Sequence, residues 1–186
     1  MSLHRSLKTK PSALNQHRNV LSRAERITKL SDTERFNREK NSPLGLIKVA
    51  NRMAHAIVDR RGTEAEAVAI LMGKGARLMA AMLAVLKAGK FFILLDSSFP
   101  KARNVALLED SQAGLVIGDR ENASLARDMI TNPGRLLEFD SIDLSISPDN
   151  LDLYLVPKAF AAILYTSGST GEPKGIICDH RDLLHR

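Results

Sequence analysis

Residues 165–175 read YTSGSTGEPKG and hold the side chains with the clearest capacity for chemistry in this chain. Glycines let backbone N–H groups converge on an anion, Ser and Thr hydroxyls add further donors, and a lysine adds a mobile positive charge. The segment therefore predicts a phosphate-binding loop. Its candidate ligand-binding residues are Thr166, Ser167, Gly168, Ser169, Thr170, Gly171 and Lys174.

A Walker-type P-loop and a flexible surface connection both fit these residues less well. The P-loop needs the pattern G-x-x-x-x-G-K-[ST]. The fifth residue after Gly168 is Pro173, and Lys174 is followed by Gly175 instead of Ser or Thr, so the Walker spacing is excluded. A flexible connection is common for Ser/Gly-rich segments, but these residues follow a buried apolar run in one particular order.

The helices and strands that must position the loop can be predicted from the spacing of apolar residues, which alternates between two patterns along the chain. Helical spacing of apolar residues is followed by short continuous apolar runs that have the length of buried strands. Glycines stand where two of the helices should end. The predicted helices are residues 44–61, 76–88, 100–111 and 123–130, and the predicted strands are residues 67–72, 91–96, 114–118, 135–139 and 159–166.

Strands separated by helices of this length predict an α/β fold in which a largely parallel sheet carries helices on both faces. Ligands of such sheets bind beyond the carboxyl ends of the strands. Because the last predicted strand ends where YTSGSTGEPKG begins, we expect the loop at that edge. A sheet that stops there exposes an unpaired strand edge, so we also expect poor solubility or self-association.

The order of residues in YTSGSTGEPKG resembles, position for position, the phosphate-binding signature of the adenylate-forming ligases. This superfamily includes acyl-CoA synthetases and the amino-acid adenylation domains of nonribosomal peptide synthetases. LKAGKFFILLDSSFPKAR at residues 86–103 resembles a second adenylation-domain signature, and residues 49–57 and 180–186 are similar to two helices of those domains. The resemblance covers residues 44–186 and implies the N-terminal portion of the large subdomain of such an enzyme.

The second signature departs from the family pattern at several positions. Adenylation domains carry a Pro before the Asp and another just after it, where this chain has Leu94 or Leu95 and Ser97. Lys90 and Phe91 replace smaller residues. These are structural positions, so the departures bear on the substrate subfamily more than on the fold.

The resemblance implies a reaction in which a carboxylic acid, most often an amino acid, attacks the α-phosphate of ATP. The products are an acyl-adenylate and pyrophosphate, and a thiol of coenzyme A or of a phosphopantetheinyl carrier protein then takes the acyl group. ATP and Mg²⁺ are the implied cofactors, with the β- and γ-phosphates held by the loop. The motifs for adenine, magnesium and ribose would lie beyond Arg186, so no catalytic residue and no metal ligand is assigned.

Two functions therefore stay open. In the first, the chain is an N-terminal fragment of an AMP-forming ligase, and we expect it to show no ATP–pyrophosphate exchange alone. In the second, it is a non-catalytic nucleotide- or phosphate-binding module.

The charge of +6 belongs to the N-terminal segment, because residues 1–40 hold 10 Lys/Arg against 4 Asp/Glu and the remaining residues hold 17 of each. Residues 1–43 are predicted to be a poorly ordered basic leader or linker that precedes a partial adenylation domain at residues 44–186. Aromatic residues do not interleave with its charges before Phe36, so we expect no nucleic-acid partner. The longest apolar run, residues 78–86, is far short of the roughly 20 residues of a membrane span. With one cysteine, the composition favours a cytoplasmic protein without a membrane partner.

Overall fold

The computed structural model describes residues 43–167 and 173–184, which form a mixed sheet between two layers of helices. Two short 3₁₀ turns, Pro133–Arg135 and Phe139–Ser141, flank the fourth strand. The strands are β1 Ala67–Leu71, β2 Phe91–Leu95, β3 Leu115–Gly118, β4 Leu136–Glu138, β5 Phe160–Ser167 and β6 Pro173–Asp179. The helices are α1 Pro43–Arg61, α2 Ala76–Lys87, α3 Lys101–Asp110, α4 Ala123–Met129 and α5 His180–Leu184.

The sheet has the strand order β4-β3-β1-β2-β5-β6. Every neighbouring pair is parallel except β5 and β6, which form an antiparallel hairpin. The predicted α/β class with a largely parallel sheet is therefore confirmed. The strand β6 was not predicted, because Pro173 and Gly175 indicate the end of a loop more than the start of a strand.

Helices cover both faces of the sheet, as the two hydrophobic clusters show. On one face, apolar residues of α1 and α2 pack on the sheet; on the other, those of α3 and α4 do so. The first cluster includes Met53, Ile57, Ala81, Val85, Val68, Ile70 and Phe92, and the second includes Leu107, Leu108, Ala126, Ala69, Leu71, Ile93 and Val116. None of the helices in the described part of the chain is long and apolar enough to cross a bilayer.

The chain turns sharply from α2 into β2 at Gly89. Its φ of 73° lies in the left-handed region, which glycine adopts without a Cβ penalty. The N–H of Gly89 donates to the Leu86 carbonyl at 3.1 Å, and that of Lys90 donates to the Val85 carbonyl at 3.1 Å. This turn directs the Lys90 side chain into the protein at the start of β2.

Lys90 forms the centre of a charged cluster at the amino ends of the strands. Its side chain is fully buried, and the ammonium donates to the Glu64 carbonyl at 2.8 Å and lies 3.2 Å from Glu66 Oε1. Glu66 also accepts two hydrogen bonds from Arg61, at 2.9 Å and 2.7 Å. The Arg61 hydrogen bond, assisted by Lys90, holds the pKa of the Glu66 carboxyl below its usual value although burial opposes this. The unusual lysine of the second signature is thus a buried structural cation.

A long connection between β4 and β5 is fastened to α1 by side-chain hydrogen bonds. Asn51 Nδ2 donates to the Pro148 carbonyl at 2.7 Å, and Arg52 Nε donates to the Ile146 carbonyl at 3.0 Å. These bonds hold the connection against α1 between β4, at one edge of the sheet, and β5, near the other edge.

Candidate phosphate-binding site

The candidate segment includes the end of β5 and the start of β6, which pair as an antiparallel hairpin. Thr166 lies opposite Lys174, and Ser167 lies opposite Pro173, in the antiparallel register. Side chains opposite each other in such a pair are direct neighbours, with Cβ atoms about 5 Å apart. The strands thus bring the first hydroxyl of the signature next to its lysine. The remaining candidates, Gly168, Ser169, Thr170 and Gly171, lie outside the described residues.

The hairpin lies at the carboxyl edge of the parallel strands, because β5 runs parallel to β2. Thr166 and Lys174 are both exposed there. Among residues 43–167 and 173–184, no side chain forms an ion pair with the Lys174 ammonium. The arrangement presents a hydroxyl and a cation side by side to a ligand at this edge.

A second loop at the same edge connects β1 to α2. It contains Gly73, Lys74 and Gly75, and its Gly73 N–H donates to Asp119 Oδ2 at 2.8 Å. Asp119 follows β3 and also accepts from the Asn122 side chain at 2.6 Å. Burial alone would raise the pKa of Asp119, but these bonds outweigh it and hold the pKa below the usual value.

Sequence reasoning missed this second loop. Its signal was a Gly-Lys-Gly triplet between a buried strand and an Ala-rich helix.

Asp96, which follows β2, is a turn former at this edge, because its Oδ1 accepts hydrogen bonds from the backbone N–H and the hydroxyl of Ser98 at 2.8 Å and 2.6 Å. Both bonds lower the pKa of Asp96, and the bond from the Ser98 hydroxyl has the larger effect.

A cavity of about 400 Å³ lies between the loops that follow β1 and β2. Its floor is apolar, and Lys74 and Asp96 stand among its polar lining residues. This volume lies within the roughly 300–1,000 Å³ of small-molecule sites. Among the described residues, no group of three or more His, Cys, Asp or Glu side chains is arranged to hold a metal ion.

Another cavity, of about 500 Å³, lies beside the hairpin and is bordered by Tyr165, Lys174 and the end of α3. The Tyr165 hydroxyl donates to Asp110 Oδ2 at 2.5 Å. Burial and the neighbouring Asp110 carboxylate raise the pKa of the Tyr165 phenol. A Cβ added at Gly175, which lies opposite Tyr165, would be 3.1 Å from Tyr165 Cε1, so the ring packs closely on the glycine.

Two bacterial synthases are similar in sequence to this chain. Surfactin synthase subunit 2 of Bacillus subtilis (strain 168) is 35% identical over 135 residues, which are 73% of this chain and 4% of that protein. Tyrocidine synthase 2 of Brevibacillus parabrevis is 34% identical over 151 residues, which are 81% of this chain and 4% of that protein. The chain therefore spans a small part of the length of these relatives.

Solved structures share the fold. The α-methyl-L-serine-AMP bound form of the nonribosomal peptide synthetase FmoA3 superposes with a TM-score of 0.64 at 28% identity, covering 74% of this chain and 15% of that one. ATP-bound MatB from Rhodopseudomonas palustris gives a TM-score of 0.66 at 23% identity, covering 75% of this chain and 30% of that one, and this likeness concerns the fold alone.

The sequence profile described as AMP-binding enzyme matches residues 46–186. The match includes the second signature, the β5–β6 hairpin and α5. The resemblance predicted from the two signatures is therefore confirmed, and the chain belongs to the AMP-binding enzyme family, whose members related to it include nonribosomal peptide synthetases.

Proposed function

We propose that this chain binds the triphosphate of ATP at the β5–β6 hairpin, as part of an enzyme that activates a carboxylic acid as its acyl-adenylate. The observation that carries the proposal is the placement of Thr166 directly opposite Lys174 at the carboxyl edge of a parallel sheet. Ligands of such sheets bind at that edge. Family membership and the AMPPNP-bound form of the related FmoA3 support the choice of ATP among phosphate ligands.

The chemical role of the hairpin is to bind and orient, and no covalent step falls to it. The hydroxyls of Thr166 and Ser167 can donate hydrogen bonds to phosphate oxygens, and Lys174 can neutralise the charge of the departing pyrophosphate. In the proposal, Gly168, Ser169, Thr170 and Gly171 complete the site with hydroxyl and backbone donors. No catalytic residue and no Mg²⁺ ligand is assigned to this chain.

The acid is proposed to be an amino acid, because the relatives include a nonribosomal peptide synthase, and the related FmoA3 structure holds α-methyl-L-serine-AMP. Transfer of the acyl group to coenzyme A or to a phosphopantetheinyl carrier protein belongs to the same proposal. The division into a basic leader at residues 1–43 and a partial adenylation domain at residues 44–186 stays a prediction.

The test is titration of ATP, and separately of pyrophosphate, into the purified chain and a Lys174→Ala variant by isothermal calorimetry. Because charge-assisted hydrogen bonds contribute about 1.5–3 kcal/mol, we expect Lys174→Ala to raise both Kd values about tenfold or more. Lys158→Ala is the matched control, since Lys158 is exposed in the connection before β5. Equal Kd values for Lys174→Ala and the unaltered chain would contradict the proposal.

A further inference from the structure

We propose that Tyr165 and Asp110 form a positioning pair that holds the base of the β5–β6 hairpin, and thereby Thr166 and Lys174, in the geometry that phosphate binding needs. This inference rests on the proposed function of the hairpin. It assigns a role to two side chains that touch each other, one at the end of α3 and the other in β5.

The hairpin needs such a support because its outer half is not paired with the neighbouring strand β2. Among the described residues, β2 is in register with β5 only at Phe92↔Ala162 and Ile93↔Ile163. From Leu164 onward, β5 continues with β6 as its only strand partner in the described sheet. A two-stranded ribbon is marginally stable in water by itself. A contact to the body of the protein close to Thr166 therefore determines where Thr166 and Lys174 lie.

The Tyr165–Asp110 hydrogen bond is that contact. Asp110 is the last residue of α3, and its Oδ2 accepts from the Tyr165 hydroxyl at 2.5 Å across 55 residues of sequence. The α3 helix itself packs on the sheet through Leu107 and Leu108. The bond thus joins the residue immediately before Thr166 to a helix that is fixed in the core.

The Tyr165 ring transmits this support to the second strand of the hairpin. A Cβ at Gly175 would lie 2.9 Å from Ile163 Cγ2 and 3.1 Å from Tyr165 Cε1, so the ring and the Ile163 side chain lie directly over the Gly175 backbone. Gly175 is the neighbour of Lys174 in β6. One side chain therefore contacts both strands just below the two proposed ligand-binding residues.

The bond is suited to a permanent support because its donor keeps its proton. Burial and the Asp110 carboxylate raise the pKa of Tyr165 above its already high ordinary value, so the phenol stays neutral at physiological pH. A neutral phenol facing an ionised carboxylate makes a charge-assisted hydrogen bond, which is stronger than one between neutral groups.

The binding test uses pyrophosphate as the probe and the whole chain as the protein. We expect Asp110→Ala and Tyr165→Phe each to raise the pyrophosphate Kd about three- to tenfold, because the pair is partly exposed and its contribution is reduced by solvent. Asp110→Asn keeps an oxygen acceptor at the same place, so its pyrophosphate Kd should be closer to that of the unaltered chain than to that of Asp110→Ala. Asp152→Ala, which alters an exposed aspartate in the connection before β5, should leave the Kd unchanged.

A spectroscopic test reads the bond itself. The chain has two tyrosines and no tryptophan, and Tyr154 is 91% exposed, so a Tyr154→Phe background leaves Tyr165 as the single strong fluorophore. A phenol that donates to a carboxylate is quenched through proton transfer in its excited state. In that background, Asp110→Ala should therefore increase the tyrosine fluorescence, whereas Asp152→Ala should not.

The outcomes separate this inference from the proposed function. Pyrophosphate binding that persists unchanged in both Asp110→Ala and Tyr165→Phe, or fluorescence that is unchanged by Asp110→Ala, would overturn the positioning pair. If the unaltered chain does not bind pyrophosphate, the proposed function fails, and so does the pair's role in phosphate binding. Hydrogen exchange at residues 163–167 and 174–177, which should be faster in Asp110→Ala, then decides whether the pair holds the hairpin.

Discussion

Asp119 shows how a single carboxylate can organise two loops at the carboxyl edge of the sheet. Its two oxygens accept hydrogen bonds from the Gly73 backbone and from the Asn122 backbone and side chain. A carboxylate held by several donors is stabilised in its ionised form. The structure at this edge therefore depends on the charge of Asp119, and that charge is lost in acid.

The first prediction concerns the pH dependence of stability. The pKa of Asp119 is lower in the folded protein than in the unfolded chain, where it is about 3.9, so the unfolded state binds more protons between the two values. The free energy of unfolding contributed by Asp119 is thus complete above the unfolded pKa and falls as the pH drops through the folded one. Asp119→Asn should lower stability at neutral pH and flatten its decline below about pH 5.

Urea unfolding of the two proteins over a pH series measures this difference. Asp152→Asn serves as the control, because Asp152 is exposed and should keep the pH dependence of the unaltered chain. Parallel stability curves for Asp119→Asn and the unaltered chain would show that Asp119 does not stabilise the fold through its charge.

The second prediction concerns the buried cation Lys90 and its partner Glu66. Removing the carboxylate leaves Lys90 buried without its ion pair, whereas removing the lysine leaves Glu66 still paired with Arg61. Breaking a buried pair from one side costs about 3–5 kcal/mol, while apolar replacement of buried charges is often close to neutral. We expect Glu66→Gln to lower the free energy of unfolding by about 3 kcal/mol and Lys90→Met to change it by less than about 1 kcal/mol.

The double variant Glu66→Gln with Lys90→Met provides the check. Denaturant unfolding should find it more stable than Glu66→Gln alone, since no buried charge remains without its partner. A double variant that is less stable than either single variant would contradict the role of Lys90 as a buried cation that depends on Glu66.

At the residue scale, sequence reasoning found the signature but not its support. Thr166, Ser167 and Lys174 could be named as candidate ligand-binding residues because the order of the signature is local and specific, and their role stays a prediction. The Tyr165–Asp110 contact could not be predicted, because its partners are 55 residues apart and no local pattern marks Asp110. The role of Gly73 was missed for a similar reason, since its partner Asp119 follows a different strand.

At the scale of elements, the spacing of apolar residues along the sequence predicted the five parallel strands and the helices between them. Their ends differ from the predicted ones by at most one residue, which is within the usual uncertainty of helix and strand boundaries. The strand β6 escaped prediction because Pro173 and Gly175 are turn residues in most contexts. Pairing with β5 outweighs that preference, and Gly175 is needed where the Tyr165 ring packs on the backbone.

The third prediction follows from that close packing. Gly175→Ala would place a Cβ 2.9 Å from Ile163 Cγ2, so the side chains above it must shift, at a cost of about 1–3 kcal/mol. Gly118→Ala, another strand glycine, meets its nearest atom at an ordinary 3.6 Å and should be nearly neutral. Thermal unfolding of the two variants compares these costs, and equal melting temperatures would contradict the packing described for the hairpin.

At the scale of the whole molecule, the described sheet ends on one side at β6, a strand that exposes two large apolar side chains. Ile176 and Ile177 are 49% and 56% exposed, and in a strand successive side chains point to opposite faces. Both faces of this edge strand therefore present a large apolar residue to solvent. Edge strands of this kind template pairing with another chain.

The fourth prediction is that the purified chain self-associates through this edge. Ile177→Lys places a charge on β6 and should shift the sedimentation profile toward monomer without lowering the melting temperature. Leu144→Lys, which replaces an apolar residue that is 74% exposed in the connection between β4 and β5, should leave association unchanged. Association that is unaffected by Ile177→Lys would show that another surface is responsible.

The Arg61–Glu66–Lys90 cluster lies at the amino ends of the strands, whereas Thr166 lies near the carboxyl end of β5, opposite Lys174. Protein engineering can use this separation. A more stable version for crystallisation can be sought by repacking the cluster with aliphatic residues, away from the proposed phosphate-binding residues. Thermal-shift screening of such variants would report stability as the melting temperature without pyrophosphate. The further shift on adding pyrophosphate would report ligand binding separately.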